Sequence, residues 1–327
     1  MNRWAVGIAV GASVMASWAD VTVREADGRV RIEIDGALFT EYTYQNVARP
    51  YLYPVIGPTG APMTRDWPML KTTHETTDHV HHKGLWFAHG SMNGVDCWSE
   101  QKGFGKTVHS KFLELKSGPD EGLIRSLNEW VAPSGTVLCT DERLLRFRAD
   151  KEVRTIDYEI TLIASHGALT IGDTKEGSMS IRLPTTMSAG GKDGKGHIIT
   201  SSGLKDAEAW GKPADWVDYW GPVGGQTVGV AIFDSPRNPR HPTRWHVRTY
   251  GLFAANPFGL KPFDKTAKAS GDLTLPPGER VTFRYRFVFH AGDEQAARIA
   301  ERYRQYAPEE GPKSTSGATS RTATAVP

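Results

Sequence analysis

The chain has 327 residues, with 39 Lys and Arg against 37 Asp and Glu, a formal charge of +2 and an apolar fraction of 39%. So even a balance leaves no basic excess to neutralise a run of phosphates, and no nucleic acid is expected as a partner. The longest apolar stretch, residues 4–18, is too short to cross a bilayer, so no membrane insertion is expected either.

The chain opens with Arg3, an apolar run over 4–15 and Ser17-Trp18-Ala19, the layout of an export signal cleaved before Asp20. This predicts a periplasmic or secreted protein. Residues 20–307 contain no Pro/Ser-rich linker or shift in composition and read as one domain. Val30, Ile32 and Ile34 alternate with polar residues and open a series of half-buried strands that continues over 38–44, 51–56, 108–115, 123–131 and 144–147. Over 154–162, Ile156, Tyr158, Ile160 and Leu162 share one face. Further strands are expected over 178–183, 228–233 and 245–250. In 281–289, Val281, Phe283, Tyr285, Phe287 and Phe289 give the strongest alternation of all. A helix is expected over 293–306, with Asp293 as its N-cap. The Ser, Thr, Gly, Ala and Pro of residues 308–327 predict a disordered tail. Strands that are apolar on one face bury it by stacking sheets, so the expected fold is all-β: a large two-sheet antiparallel β-sandwich with one C-terminal helix. Cys97 and Cys139 are the only thiols, and they either pair or remain buried and free.

The densest chemistry lies in Asp78-His79-Val80-His81-His82. If this segment is extended, His79 and His81 point to one side with their Cβ atoms about 7 Å apart, close enough to converge on one divalent metal ion or one substrate group. His82 then points away unless a turn re-aims it. Asp78, His79 and His81 are the candidate metal ligands, with His89, His241 or His246 available to complete the set, and His81 and His82 are the candidate catalytic imidazoles. Glu176, which shares a face with Arg182 if extended, and Asp218 are candidate acid/base partners. Arg182, Tyr219, Trp220, Arg240, His241 and Trp245 combine flat apolar rings with charge, the combination that holds a sugar by stacking and by its hydroxyls, so an oligosaccharide or small-molecule ligand is expected. Phosphate loops and dinucleotide fingerprints are absent from the sequence, and no nucleotide cofactor is expected.

Three stretches, residues 77–98 (TDHVHHKGLWFAHGSMNGVDCW), 173–184 (DTKEGSMSIRLP) and 234–259 (DSPRNPRHPTRWHVRTYGLFAANPFG), together resemble the bacterial PmoA-like family, a group of exported proteins of unknown function. The resemblance implies a supersandwich looking like the galactose-mutarotase type, and a setting in carbohydrate chemistry. Methane oxidation, which the family's label suggests, does not suit a chain with no spanning helix. The expected function is that of an exported carbohydrate-active protein, a hydrolase, lyase or epimerase acting on a glycoside or modified sugar. The alternative is a non-catalytic carbohydrate-binding domain.

Overall fold

The computed structural model describes residues 19–191 and 194–309; the expected export signal, apart from Ala19, and the expected tail beyond Glu309 lie outside the described residues. Two antiparallel sheets stack face to face. Across the first, of nine strands, the order is Arg244–Val247, Leu252–Asn256, Gly177–Arg182, Leu85–His89, Tyr51–Val55, Ala37–Thr43, Arg29–Ile34, Asp20–Ala26 and Gly118–Pro119. Across the second, of eight, it is His197–Thr200, Trp216–Val223, Gln226–Asp234, Arg280–Ala291, Val153–Ile163, Val137–Ala149, Gly122–Val131 and Lys106–Lys116. A short ribbon pairs Leu169–Ile171 with Leu273–Leu275. The chain is therefore the expected all-β sandwich.

Side-chain alternation builds the interior. In Val153–Ile163 the expected set Ile156, Tyr158, Ile160 and Leu162 is buried, and it lies in register with Phe287, Tyr285, Phe283 and Val281 of Arg280–Ala291. Across the gap between sheets, Phe39 meets Phe147 and Phe289 edge-on at 6.1 and 6.0 Å. This T-shaped contact matches the charge distribution of aromatic rings. Cys97 and Cys139 are both buried and free.

The C-terminal helix differs from expectation. Asp293 accepts from the backbone N–H groups of Gln295 and Ala296, but it caps only a turn, because Arg298 takes a left-handed conformation and the helix runs Ile299–Glu309. Ile299 and Tyr306 pack with Phe233, Ala231 and Val288 on the outer face of the eight-stranded sheet. That cover explains why Val288, which points away from the main core, is nevertheless buried.

The nine-stranded sheet is covered on both faces at one end. Every residue of Leu85–His89, Gly177–Arg182 and Leu252–Asn256 is buried, and of the three only the second was expected as a strand from the sequence. One face carries Leu85, Phe87, Met179, Ile181 and Phe253 into the main core, and the other supports a separate cluster built on Tyr51, Trp86, Ala88, Trp98 and Leu252. Among the described residues no helix is long and apolar enough to cross a membrane.

Candidate functional site on the outer face of the nine-stranded sheet

Register defines the floor of the site. Tyr51 pairs with Trp86, Trp86 with Ser180, Ser180 with Ala254 and Ala254 with His246, so five side chains form one row across five strands on the outer face. Ser180 and Ala254 are short and Trp86 and His246 beside them are large, so the row dips into a shallow trough between those two, covered from above because every residue of the row is buried.

The histidine segment closes over this floor as a turn. His82 N–H donates to the His79 carbonyl at 3.0 Å, and His79 is left-handed, at φ 43°. The turn re-aims His82, so that all three imidazoles gather. His79 stacks on His82 at 4.7 Å, His81 meets His82 edge-on at 4.4 Å, and Trp86, His82, His79 and Tyr250 form a column of near-parallel rings with successive spacings of 5.5, 4.7 and 5.3 Å. Trp98 flanks His81 and His82.

Buried guanidiniums hold the turn in place. Arg49 donates to the carbonyls of His81 (3.1 Å) and Trp98 (2.7 Å) and pairs with Glu100 at 3.0 Å. Arg65 donates to the carbonyls of Asp78 (3.0 Å) and His79 (3.1 Å) and also binds the Asp78 carboxylate. Arg182 reaches the same carboxylate at 3.0 Å, lies 4.7 Å over the Tyr250 ring, and donates to His82 Nδ1 at 3.3 Å. Since guanidinium only donates, His82 carries its proton on Nε2. Partial burial works against the Asp78 charge, but Arg182, His79 and Arg65 hold its carboxyl down at about 2. His79 Nδ1 donates to the other Asp78 oxygen at 2.7 Å.

Three imidazoles here, His81, His82 and His246, are held neutral. Burial, assisted by the charges of Arg49 and His79, lowers His81 to about 4; burial, with Arg182, takes His82 well below the ordinary value; burial lowers His246 to about 3. Glu176, half-exposed and paired with Lys175, pulls His81 in the opposite direction. Five polar atoms around the floor are buried with no hydrogen-bond partner in the chain: Trp86 Nε1, Trp98 Nε1, Ser180 Oγ, Arg182 Nε and His246 Nδ1. A buried polar group without a partner costs about 1–3 kcal/mol. All five belong to residues of the floor or to side chains packed on it.

Comparison with known proteins is informative at the level of family. A family of unknown function, DUF6807, matches residues 29–304. The chain belongs to it. No curated protein matches the sequence. Among solved structures, this DUF6807 member resembles a polysaccharide lyase (12% identity, TM-score 0.31, 91% of this chain and 35% of that one). It also resembles the galactosidase domain of the α-galactosidase-sucrose kinase AgaSK (6%, 0.40, 84% and 41%) and the α-galactosidase of Lactobacillus brevis (10%, 0.39, 89% and 41%). These neighbours are carbohydrate-active enzymes, and the chain spans 35 to 41% of their lengths.

Several expected site residues of this DUF6807 member lie elsewhere. Asp218 sits in the eight-stranded sheet, fully buried against His290 at 3.0 Å, and does not join the histidines. Burial opposes the His290 charge, but Asp218 outweighs it and raises that imidazole. Tyr219 and Trp245 fill the core; their polar tips donate to the carbonyls of Thr249 (2.8 Å) and Ala214 (3.0 Å). Trp220 stacks on His197 at 4.1 Å in the eight-stranded sheet. Arg240 clamps the carbonyls of Pro257 and Asp272, and His241 holds the buried Asp234 at 2.7 Å, so both fasten loops. Asp78 is taken up by two guanidiniums, and it does not group with His79 and His81 as a ligand set. Among the described residues the three potential ligands whose atoms come within 4.8 Å of one another are Asp66, His74 and Glu75. Sequence reasoning passed over Arg49, Arg65, Trp86, Trp98, Arg248 and Tyr250. The available signal was the run Ser178-x-Ser180-x-Arg182, a polar face on a strand whose other face is Met179 and Ile181.

His89, below the floor, makes a stability prediction. Its Nε2 meets the Gly172 carbonyl at 2.7 Å and its Nδ1 meets Ser178 Oγ at 3.2 Å, and burial lowers it to about 4. With His246 also lowered, the unfolded chain binds protons below about pH 6.5 that the folded one refuses, so stability falls as pH falls. The expected result is a Tm that declines from pH 6.5 to 4, and declines less in His89→Gln. A flat Tm over that range would show that these imidazoles protonate in the folded protein.

Proposed function

We propose that this protein is an exported carbohydrate-processing enzyme, a hydrolase, lyase or epimerase, whose site is the trough on the outer face of the nine-stranded sheet. The observation that carries the reading is the ring column Trp86–His82–His79–Tyr250 beside the neutral, partly exposed imidazole of His81, over a floor that holds five unpartnered polar atoms. Flat rings stack on a pyranose face, and donors and acceptors at the floor meet its hydroxyls. His81 is the proton acceptor in this reading. His82, whose Nδ1 is engaged by Arg182, presents an N–H donor, and Glu176 tunes His81 from the rim. The Asp78 oxygens are already occupied by Arg65, Arg182 and His79, so the histidine segment is assigned proton chemistry. The likeness of three segments to the PmoA-like group supports the same reading, because that resemblance implies exported sugar chemistry.

The test is a screen of the purified protein against glycosides and oligosaccharides, following Trp fluorescence for binding and NMR for bond cleavage or anomeric exchange. Turnover lost in His81→Gln with affinity kept supports the enzyme. Binding without turnover in either form makes the protein a carbohydrate-binding domain, and no response of Trp86 and Trp98 to any saccharide overturns the site.

A further inference from the structure

Charge at the trough is unbalanced. Tyr250 stands among the guanidiniums Arg182 and Arg248 and the carboxylates Asp78 and Glu176; Asp78 is taken by Arg65 and Arg182, and Glu176 pairs with Lys175. Arg65 is further occupied by backbone carbonyls. Arg182 keeps a buried Nε with no partner. Arg248 has neither a carboxylate nor a hydrogen-bonded partner for its side chain among the described residues; it is held by rings, 5.6 Å over Trp210 and 5.5 Å over Tyr250. Tyr250 is the ring that Arg182 also covers, so the two guanidiniums flank one aromatic side chain at the end of the column. Its charge reaches the floor, where it acts on His246. A guanidinium fixed in position by aromatic stacking, with its fork of N–H donors unspent, is pre-organised for a planar anion.

We propose that Arg248, with Arg182 beside it, receives the carboxylate of an acidic sugar, so that the ligand of this site is a uronic-acid saccharide rather than a neutral one. The inference rests on the trough being a saccharide site and adds the class of saccharide. Two flat guanidiniums match the two oxygens and plane of a carboxylate, and the nearby Glu176 is already paired with Lys175.

Isothermal titration of the full mature protein with oligogalacturonate and oligoglucuronate, each compared with its methyl ester, tests this. The acid is expected to bind at least about tenfold more tightly than the ester, the value of a charge-assisted hydrogen bond, with a preference that shrinks as salt rises. In Arg248→Met the ratio of acid to ester affinity falls to about one, and Arg248→Gln repeats the result if the first variant fails to fold. Equal binding of acid and ester by the wild type, a preference that survives both substitutions, or selection of a sulfated saccharide over both uronates overturns the proposal. Binding of neutral saccharides with rejection of the acids removes this inference alone. If no saccharide of any kind binds, the site reading falls with it.

Discussion

Asp141→Ala will destabilise the fold by about 3–5 kcal/mol, the usual cost of breaking a buried ion pair from one side. Asp141 lies inside the sandwich with Arg143, and neither is exposed. Its two oxygens accept from Arg143 Nε and Nη2, each at 2.9 Å, from Asn128 Nδ2 at 2.7 Å and from Trp130 Nε1 at 2.7 Å. The remaining Arg143 donor meets Tyr158 Oη at 3.1 Å. Alanine leaves a guanidinium, an indole N–H and an amide in the interior without their common acceptor. Replacing both partners, as Asp141→Leu with Arg143→Met, removes the unpaired charge as well and will recover most of the loss. Urea unfolding of the single and double variants decides it. A single-variant loss below about 1 kcal/mol would show that water reaches the pair.

The two halves of the molecule differ in how far the sequence exposes them. Strands such as Val153–Ile163 and Arg280–Ala291 have one polar and one apolar face, so a period of two places Ile156, Tyr158, Phe283 and Phe287 in the core directly. The site strands carry no such contrast. Leu85–His89 is apolar up to Ala88 and covered on both sides, and nothing in its own residues says which ring faces the core and which faces outward. The histidine segment was legible as chemistry and misleading as geometry. Extension separates His82 from His79, whereas the left-handed His79 closes a turn that gathers them, and that turn depends on Arg49 and Arg65, whose partners within it are 13 to 32 residues away along the chain. Tyr219, Trp245 and Arg240 carried the right residue types for a sugar pocket, yet each is consumed by packing or by backbone carbonyls that only the tertiary fold brings near. Ser180 and Ala254 lack any chemical signature. Their importance is their small size at paired positions of adjacent strands, which only the register reveals.

His81→Gln will reduce turnover by about 10²–10⁴, the range for loss of a general acid or base, while leaving the fold intact because the His81 side chain is partly exposed and its backbone carbonyl, which Arg49 grips, is kept. The accompanying signature is in pH. Burial, the Arg49 charge and His79 lower His81 to about 4, so the free base is present at every pH above about 5, and kcat/KM, which reports the free enzyme, will rise through an acidic limb near 4 and stay level above it. An imidazole in open water would place that limb near 6.5. Conservative removal of the nearest positive charge, Arg49→Met, would move the limb upward, though it also frees the carbonyls of His81 and Trp98, so a more selective probe is Glu176→Gln. Glu176 raises His81, and without its charge the limb will shift to lower pH with little change in the plateau. Direct titration of the His81 imidazole by ¹H–¹⁵N NMR gives the same midpoint without a substrate. A midpoint near 6.5 with a rate limb to match would mean that the ring is solvated and unconstrained, and would remove His81 from the role of proton acceptor in favour of the more deeply held His246, whose Nδ1 also has no partner in the chain.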